Sequence, residues 1–359
     1  MKKSFKCISL MLSSLLILGC GSTAFSAATV EDNESVKAIY EKIEEGRTVL
    51  YDENNNEIPV EKLNNDTENI SKKLPQKYDL RDYGRVSKVK NQGSEGYCWA
   101  FASVASMESS ILSQNDLKSK LGENPQDTID LSEAGQTWYI HSGIVDKSSP
   151  FYGDYINDSS KGSNGGTSDT LAISLNSGFG TYPQSLCPYN EVKKGFSETL
   201  RYYSDYRLKD YSEISNNKDT LKSKIVSNGA VTVYYPSITD CYSSDYANYY
   251  SDNTCIGIGD AHLIVVVGWD DNYSKDNFTG KVKPSNDGAW LCKNSWGEHY
   301  GNDGYIWISY DTTNLAFSQY IMQGNNAYDN EYQNCFVTQG YGYNYEGAAN
   351  VFTAQSDEQ

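Results

Sequence analysis

Gln92-Gly93-Ser94-Glu95-Gly96-Tyr97-Cys98-Trp99-Ala100-Phe101-Ala102-Ser103 places a cysteine directly after a glycine-rich turn and at the head of an apolar run. No charged residue occurs from Trp99 to Met107, which predicts a buried helix whose first turn opens on a cleft. A thiol at that end faces unpaired backbone N–H groups and the positive end of the helix dipole, and both favour the thiolate. Thiolate is the nucleophilic form of cysteine, so the arrangement suits covalent catalysis. Taken alone, Cys98 would read as an ordinary buried core cysteine. The rest of the chain supplies partners.

A thiol nucleophile needs a base, and the chain has three histidines. His141 follows Trp138-Tyr139-Ile140 on a predicted helix, and His299 lies in the turn-rich Trp296-Gly-Glu-His-Tyr-Gly301. His262 directly precedes the apolar run Leu263–Val267, at the entrance of a predicted buried strand. A strand end is a rigid place from which to present an imidazole, so His262 is the candidate base. Such a base needs an orienting acceptor on its far nitrogen. Asn294, in Lys293-Asn294-Ser-Trp-Gly297, ends a strand run and supplies a carbonyl, with Trp296 placed to shield the bond. Acyl transfer also develops an oxyanion, for which the Gln92 amide and the Cys98 backbone N–H are candidate donors.

This set resembles the papain-like cysteine peptidases, whose triad logic is general knowledge and not deduced from this chain alone. The resemblance starts at Leu74-Pro-Gln-Lys-Tyr-Asp-Leu-Arg81, which looks like a mature N-terminus. It continues through Val89-Lys-Asn-Gln-Gly93, the Cys98 helix, Leu131-Ser-Glu133 and Asn164-Gly-Gly166. Tyr182-Pro183, Pro188-Tyr189, the His262 strand, Lys293–Gly297 and Asn302-Asp-Gly-Tyr305 then follow in order. It implies an α+β, two-lobed papain-like fold, with a helical left lobe, a β-barrel-like right lobe and the active-site cleft between them. Within it Cys98 is the nucleophile, His262 the base and then acid, Asn294 the orienter of His262, and Gln92 an oxyanion donor. Gly165 and Gly166 match the ledge along which substrate backbone lies, and their lack of side chains permits close approach. Thr167, Ser168 and Tyr234 fall near the main specificity pocket, and Trp296 packs over the His–Asn pair. The implied partners are polypeptide substrates, and no cofactor or metal is called for.

This chain departs from the family in places. Glu95-Gly-Tyr-Cys98-Trp99 stands where Cys-Gly-Ser-Cys-Trp is usual, and Ser163 occupies the partner position, so one family disulfide is absent as a pair. Tyr97 replaces a small residue beside the nucleophile and is expected to narrow the cleft. Ala261 stands where Asp or Asn usually precedes the histidine. Gly268-Trp-Asp-Asp-Asn-Tyr-Ser274, a short leader and the tail are similar to clostridial-type cell-surface cysteine proteases. Tyr328–Gln333 and Ala349–Ala354 resemble the start of the lectin-like β-domain in that group, within which the chain is expected to stop.

Organisation along the chain follows. Residues 1–28 read as a signal peptide, with Lys2, Lys3 and Lys6 ahead of the apolar stretch Ile8–Leu18, which is too short to span a bilayer. Cleavage is expected after Ser26 or Ala28. Ile17-Leu-Gly-Cys20 is a loose lipoprotein box, and ordinary secretion is the preferred reading. Residues 29–73 read as a propeptide that inhibits its own enzyme, with a short amphipathic helix at Val36–Ile43. A hairpin is expected from Thr48–Tyr51 and Glu57–Val60. Residues 74–324 form the peptidase domain, helices first and strands later. Asp130 or Ser132 caps its second helix. Stretches 236–258 and 271–287 are expected as exposed loops, and 325–359 as the incomplete start of the β-domain.

A formal net charge of −17 over 359 residues argues against nucleic acid and anionic membrane surfaces. Export permits disulfides; Cys241 and Cys255 are the expected pair and Cys292 a buried thiol, and the absence of CxxC spacing excludes a typical zinc site. The reading is a secreted or cell-surface cysteine endopeptidase made as a proenzyme, with cell-wall association carried by analogy alone. The alternatives are a catalytically weak papain-fold surface binding protein and an unrelated Cys/His amidase acting on peptidoglycan.

Overall fold

The structure is a computed structural model that describes residues 74–149, 152–153, 165–255 and 259–325, together with backbone strands at 7–9, 40–44, 47–51, 57–58 and 350–352. Strands are β1 Lys77–Asp79, β2 Tyr206–Ile214, β3 Val231–Ile238, β4 Gly259–Asp270, β5 Ala289–Lys293, β6 Tyr305–Ser309 and β7 Ala316–Gly324. Longer helices are α1 Cys98–Ser113, α2 Glu133–His141, α3 Ser168–Asn176 and α4 Lys218–Asn228. The sheet runs β2-β7-β3-β4-β5-β6 and continues into the short pieces Asn248–Tyr249 and Tyr242–Ser243, while β1 pairs with β4. The two-lobed α+β arrangement expected from the sequence is the one observed.

The predicted Cys98 helix is the element on which both lobes are built. Every residue of α1 except Cys98, Ala105 and Ser113 is buried. One side packs with Leu131, Tyr139, Leu171 and Tyr182 in the helical core. The other lies against β4 and β7 of the sheet. A helix with no solvent face must satisfy its polar side chains internally. Its serines do so across the lobe junction. Ser106 Oγ donates to Ala230 O at 2.8 Å, Ser109 Oγ donates to Arg85 O at 2.7 Å, and Ser110 Oγ accepts from Met322 N at 3.0 Å.

Glu108 is the one charge in α1, and it is 1% exposed. Its carboxylate accepts from Lys90 Nζ at 3.0 Å, Ser87 Oγ at 2.5 Å and Leu131 N at 2.8 Å. Lys90 Nζ also reaches Glu133 Oε1 and Asp130 Oδ1, each at 2.9 Å. Burial works against the Lys90 charge, yet Glu108, Glu133 and Asp130 outweigh it and hold the ammonium above its ordinary range. On Glu133, burial and the neighbouring Glu108 charge push the carboxyl upward against Lys90. Lys293 meets the same cluster through Ser87 at 3.0 Å, and burial lowers its pKa to about 8.

Local signals hold where they were strong. Ser132, one of the two expected caps, accepts from Gly135 N at the start of α2, and Thr167 does the same for Thr170 N at α3. Gly268 sits at a bulge in β4, where an added Cβ would lie 2.2 Å from Tyr78 O, so β1 can approach only a glycine. The expected hairpin is present as Arg47–Tyr51 pairing with Glu57–Ile58.

Three expectations are corrected. Tyr40–Glu44, read as part of a helix, is a strand paired with Arg47–Tyr51. An amphipathic repeat spanning about two turns does not repay helix nucleation, whereas the adjacent hairpin offers ready pairing. The 236–258 stretch is not an exposed loop: Cys241, Ser243 and Ala247–Ser251 are buried, and Asn248–Tyr249 pairs in parallel with β6. Tyr97 does not narrow the cleft; it is 2% exposed and packs edge-on to Tyr189 within the helical lobe. Helix α4 and strands β2 and β7 carried no signal that was read from the sequence.

Ser163, Asn164, the signal apart from its backbone strand and most of the leader lie outside the described residues, as does the tail beyond Asn325 apart from its backbone strand. Cys7–Ser9 pairs antiparallel with Asn350–Phe352.

Removing one member of a buried charge cluster leaves the others uncompensated. Glu108→Ala is therefore expected to lower unfolding stability by about 3–5 kcal/mol, read as a fall in the urea midpoint. Lys194→Ala, at the exposed Lys194–Glu191 pair, should leave the midpoint in place.

Candidate active site

Cys98 is the first residue of α1 and is half-buried, so its sulfur stands at the helix N-terminus with access to solvent. The turn ahead of it is held from three sides. Gln92 N donates to Ser295 O at 2.8 Å, and Asn91 bridges to Trp296. The Tyr189 hydroxyl donates to Gln92 O at 2.6 Å. Glu95, where the family usually has a cysteine, meets Lys193 Nζ at 2.6 Å on the surface. Tyr97 and Phe101 pack beneath with Tyr189. Aromatic packing and hydrogen bonds thus anchor a turn that the family commonly staples covalently.

His262 stands near the start of β4, as its sequence position predicts, and is 4% exposed. Its Nε2 lies 2.9 Å from Asn294 Oδ1, across 32 residues of sequence. The same Oδ1 accepts from Ser295 N at 2.7 Å, which fixes the orientation of the amide. An oxygen acceptor facing Nε2 requires that nitrogen to carry the proton. Nδ1 is then the basic nitrogen of the neutral ring. Trp296 stacks on the imidazole with centroids 4.4 Å apart and planes 15° apart, covering the bond from water. Tyr235, directly across on β3, closes another side edge-on at 5.6 Å. Burial pushes the His262 pKa down to about 4, and the Asn294 hydrogen bond opposes that shift.

Gln92 is oriented by the segment that carries Asn294. Ser295 Oγ donates to Gln92 Oε1 at 2.6 Å, which turns the amide nitrogen the other way, toward Glu95 O at 2.8 Å. A continuous run of contacts therefore joins Gln92 to Ser295, Asn294 and His262. Ser295 is a participant that the sequence motif contained without a stated role. Tyr189, quoted only for its place in the motif order, was given no role, and neither were Tyr235 and Tyr300, because nothing local distinguishes them among 30 tyrosines.

The remaining predicted residues divide. Gly165 has φ +93° and open space where a side chain would project, which fits a ledge. Gly166 lies against Trp99, where an added Cβ would be 2.5 Å from the indole. Thr167 is exposed at the cap of α3. Ser168 is turned inward, 6% exposed, with Oγ 3.5 Å from Ser103 Oγ, so it faces the interior beside α1. Tyr234 is half-buried opposite Leu263, the residue after His262. His141 packs edge-on against Trp99 and His299 is exposed, whereas it is His262 that meets Asn294. Cys241 and Cys255 come together, with sulfurs 2.8 Å apart, and Cys292 is fully buried.

The fold agrees with comparisons to known proteins. The chain is 30% identical to bovine (Bos taurus) cathepsin S over 253 residues, covering 68% of this chain and 62% of that protein. It is 28% identical to procathepsin L of Rattus norvegicus over 248 residues, covering 67% and 62%. The chain thus spans somewhat under two thirds of the length of these relatives. Among solved structures it is similar to the clostridial cysteine protease Cwp84 after propeptide cleavage, with TM-score 0.55, 28% identity and coverage of 69% and 58%. The cysteine protease and lectin-like domains of Cwp84, a surface layer associated protein of Clostridium difficile, match with TM-score 0.55, 27% identity and coverage of 71% and 53%. Residues 74–325 match the papain family cysteine protease as a whole, and the chain belongs to that family.

Proposed function

We propose that this chain is a cysteine endopeptidase in which Cys98 attacks the peptide carbonyl and His262 moves the protons. The observation that carries this reading is the His262 Nε2–Asn294 Oδ1 bond at 2.9 Å, roofed by Trp296. It leaves Nδ1 as the nitrogen to take the Cys98 proton. The Sγ–C bond then forms, the carbonyl oxygen becomes an oxyanion, and the C–N bond breaks as the imidazolium protonates the departing amine. Water, deprotonated by Nδ1, attacks the thioester and releases the acid and the Cys98 thiol. In this reading the Cys98 backbone N–H and a Gln92 amide N–H stabilise the oxyanion. Gly165 and Gly166 form the substrate ledge, and Thr167 and Tyr234 border the pocket, with Ser168 supporting it from below.

Secretion or surface exposure, and synthesis as a proenzyme, belong to the same proposal. The basic-then-apolar start at residues 1–28 supports export, and the leader at 29–73 supports propeptide inhibition. The comparison with Cwp84, described as surface layer associated and as cleaved from its propeptide, supports both. Signal removal after Ser26 or Ala28 separates Cys7–Ser9 from Asn350–Phe352. Residues 325–359 are proposed as the start of a lectin-like domain, by the same comparison. Cell-wall association follows from it.

The deciding experiment treats leader-free protein with an epoxide-type thiol-protease inhibitor and maps the label by mass spectrometry. Label on Cys98 that is lost in His262→Ala, together with casein cleavage, is the expected result. An unreactive Cys98 with no cleavage would instead support a papain-fold binding protein. His262→Ala should lower kcat by about 10²–10⁴-fold. Gln92→Ala should lower kcat by about 10²–10³-fold with KM little changed, because the part of substrate it is proposed to meet is the oxyanion.

His262 also gives a pH dependence of stability. Its folded pKa lies below the ordinary value of 6.5, so between about 4 and 6.5 the unfolded chain binds the extra proton. Stability is full above 6.5 and falls as pH drops through that window, by roughly 3 kcal/mol at most. In Cys98→Ala, where no thiolate can hold the imidazolium, melting temperature should fall from pH 6.5 to 4 more steeply than in Cys98→Ala/His262→Gln. Gly166→Val should drive a side chain into Trp99, the neighbour of Cys98, and lower kcat more than the exposed substitution Thr167→Val.

A further inference from the structure

The 239–255 segment holds the catalytic imidazole by two separate chains of aromatic contacts. Tyr249 packs edge-on against Tyr235 at 4.8 Å, and Tyr235 packs on His262 at 5.6 Å. Tyr242 stacks on Tyr300 at 5.4 Å, Tyr300 meets Trp296 edge-on at 4.6 Å, and Trp296 stacks on His262 at 4.4 Å. The segment's ends are Cys241 and Cys255, whose sulfurs are 2.8 Å apart. Cys241 is buried and Cys255 half-buried, so one sulfur is sheltered and its partner meets solvent. Burial, with the adjacent Cys255 sulfur, pushes the Cys241 thiol up to about 12. Non-covalent contacts also tie the segment: Lys281 N donates to Asp240 O at 2.8 Å, Tyr250 N donates to Cys241 O at 3.3 Å, and Tyr242–Ser243 pairs with Asn248–Tyr249.

We propose that Cys241 and Cys255 form a redox-responsive disulfide that clamps the 239–255 segment, and that closing it steadies the aromatic walls on either side of His262. The half-buried Cys255, as thiolate, attacks a low-molecular-weight disulfide of the cystine or oxidised glutathione class, forming a mixed disulfide and expelling one small thiolate. Cys241 then loses its proton and attacks Cys255 Sγ, expelling the second. Two protein thiols are oxidised and one external disulfide is reduced to two thiols, so atoms and electrons balance. The clamp closes a short loop, and its largest effect is on the freedom of that loop when open. The Cys98 thiol has a different role, so oxidant and reductant act on two distinct sites of one chain. The positioning half of this proposal rests on His262 being the base; the disulfide itself does not.

The test uses full-length Cys98→Ala protein, which removes the catalytic thiol and any dependence on activity. It is equilibrated across a series of reduced-to-oxidised glutathione ratios, alkylated, and digested without reductant. A cross-linked peptide joining Cys241 to Cys255, rising with the oxidised fraction, is expected. In the same samples the His262 ring resonances should differ between the two states, and that difference should vanish in Cys98→Ala/Cys255→Ser. In the Cys98-containing chain, Cys255→Ser assayed in reductant should match reduced wild type in kcat and in its pH profile. Oxidised protein in which both thiols are still alkylated overturns the disulfide. A cross-link that leaves the His262 resonances unchanged overturns the clamp on the histidine. Epoxide labelling of Cys98 in wild type reports separately on the peptidase reading, so either can fail alone.

Discussion

The Glu108 carboxylate, fully enclosed within α1, sets the geometry of everything around it. A buried charge must be surrounded by donors, and Glu108 draws them from distant parts of the chain: Lys90 before the nucleophile turn, Ser87, and the backbone of Leu131. Lys293 joins through Ser87 and is followed directly by Asn294. The electrostatic demand of one carboxylate thus fixes the approach to Gln92, the start of α2 and the end of β5 against the same helix. Cys98 and Asn294 are each tied to this cluster by a short run of backbone.

From that junction the site is assembled by hydrogen bonds in series. Ser295 links Gln92 to the Asn294 segment, and Asn294 selects the imidazole tautomer by presenting an oxygen that is already fixed by Ser295 N. The aromatic walls then keep water away. The acceptor Asn294 and the shield Trp296 come from one run, Lys293–Gly297 at the end of β5, while Tyr235 on β3 supplies the other wall.

Much of the chemistry was legible in the chain. Cys98 at a glycine-flanked helix start, His262 before a β-run and Asn294 before a tryptophan are local patterns with direct physical meaning. Less local features were not. Tyr97 looked like an obstruction beside the thiol, yet it is the residue just ahead of the helix and its ring turns into the lobe, where Phe101 and Tyr189 receive it. The 236–258 stretch looked solvent-exposed because it is rich in Tyr, Ser and Asn. Tyr249 and Tyr250 bury their rings, and the Tyr249 hydroxyl donates to Pro236 O and accepts from Ile238 N, while Tyr246 stays exposed.

Sequence alone marked Cys98, His262 and Asn294 as the candidate nucleophile, base and orienter and determined the order of helices before strands, because each depends on residue type and near-neighbour pattern. Only the tertiary structure decided which imidazole nitrogen faces Asn294, how Gln92 is aimed, and that the Cys241–Cys255 pair expected from the sequence lies beside the histidine walls. Those outcomes depend on contacts between residues far apart in the chain. Such contacts are set by how a fully buried helix distributes its few polar groups between two lobes.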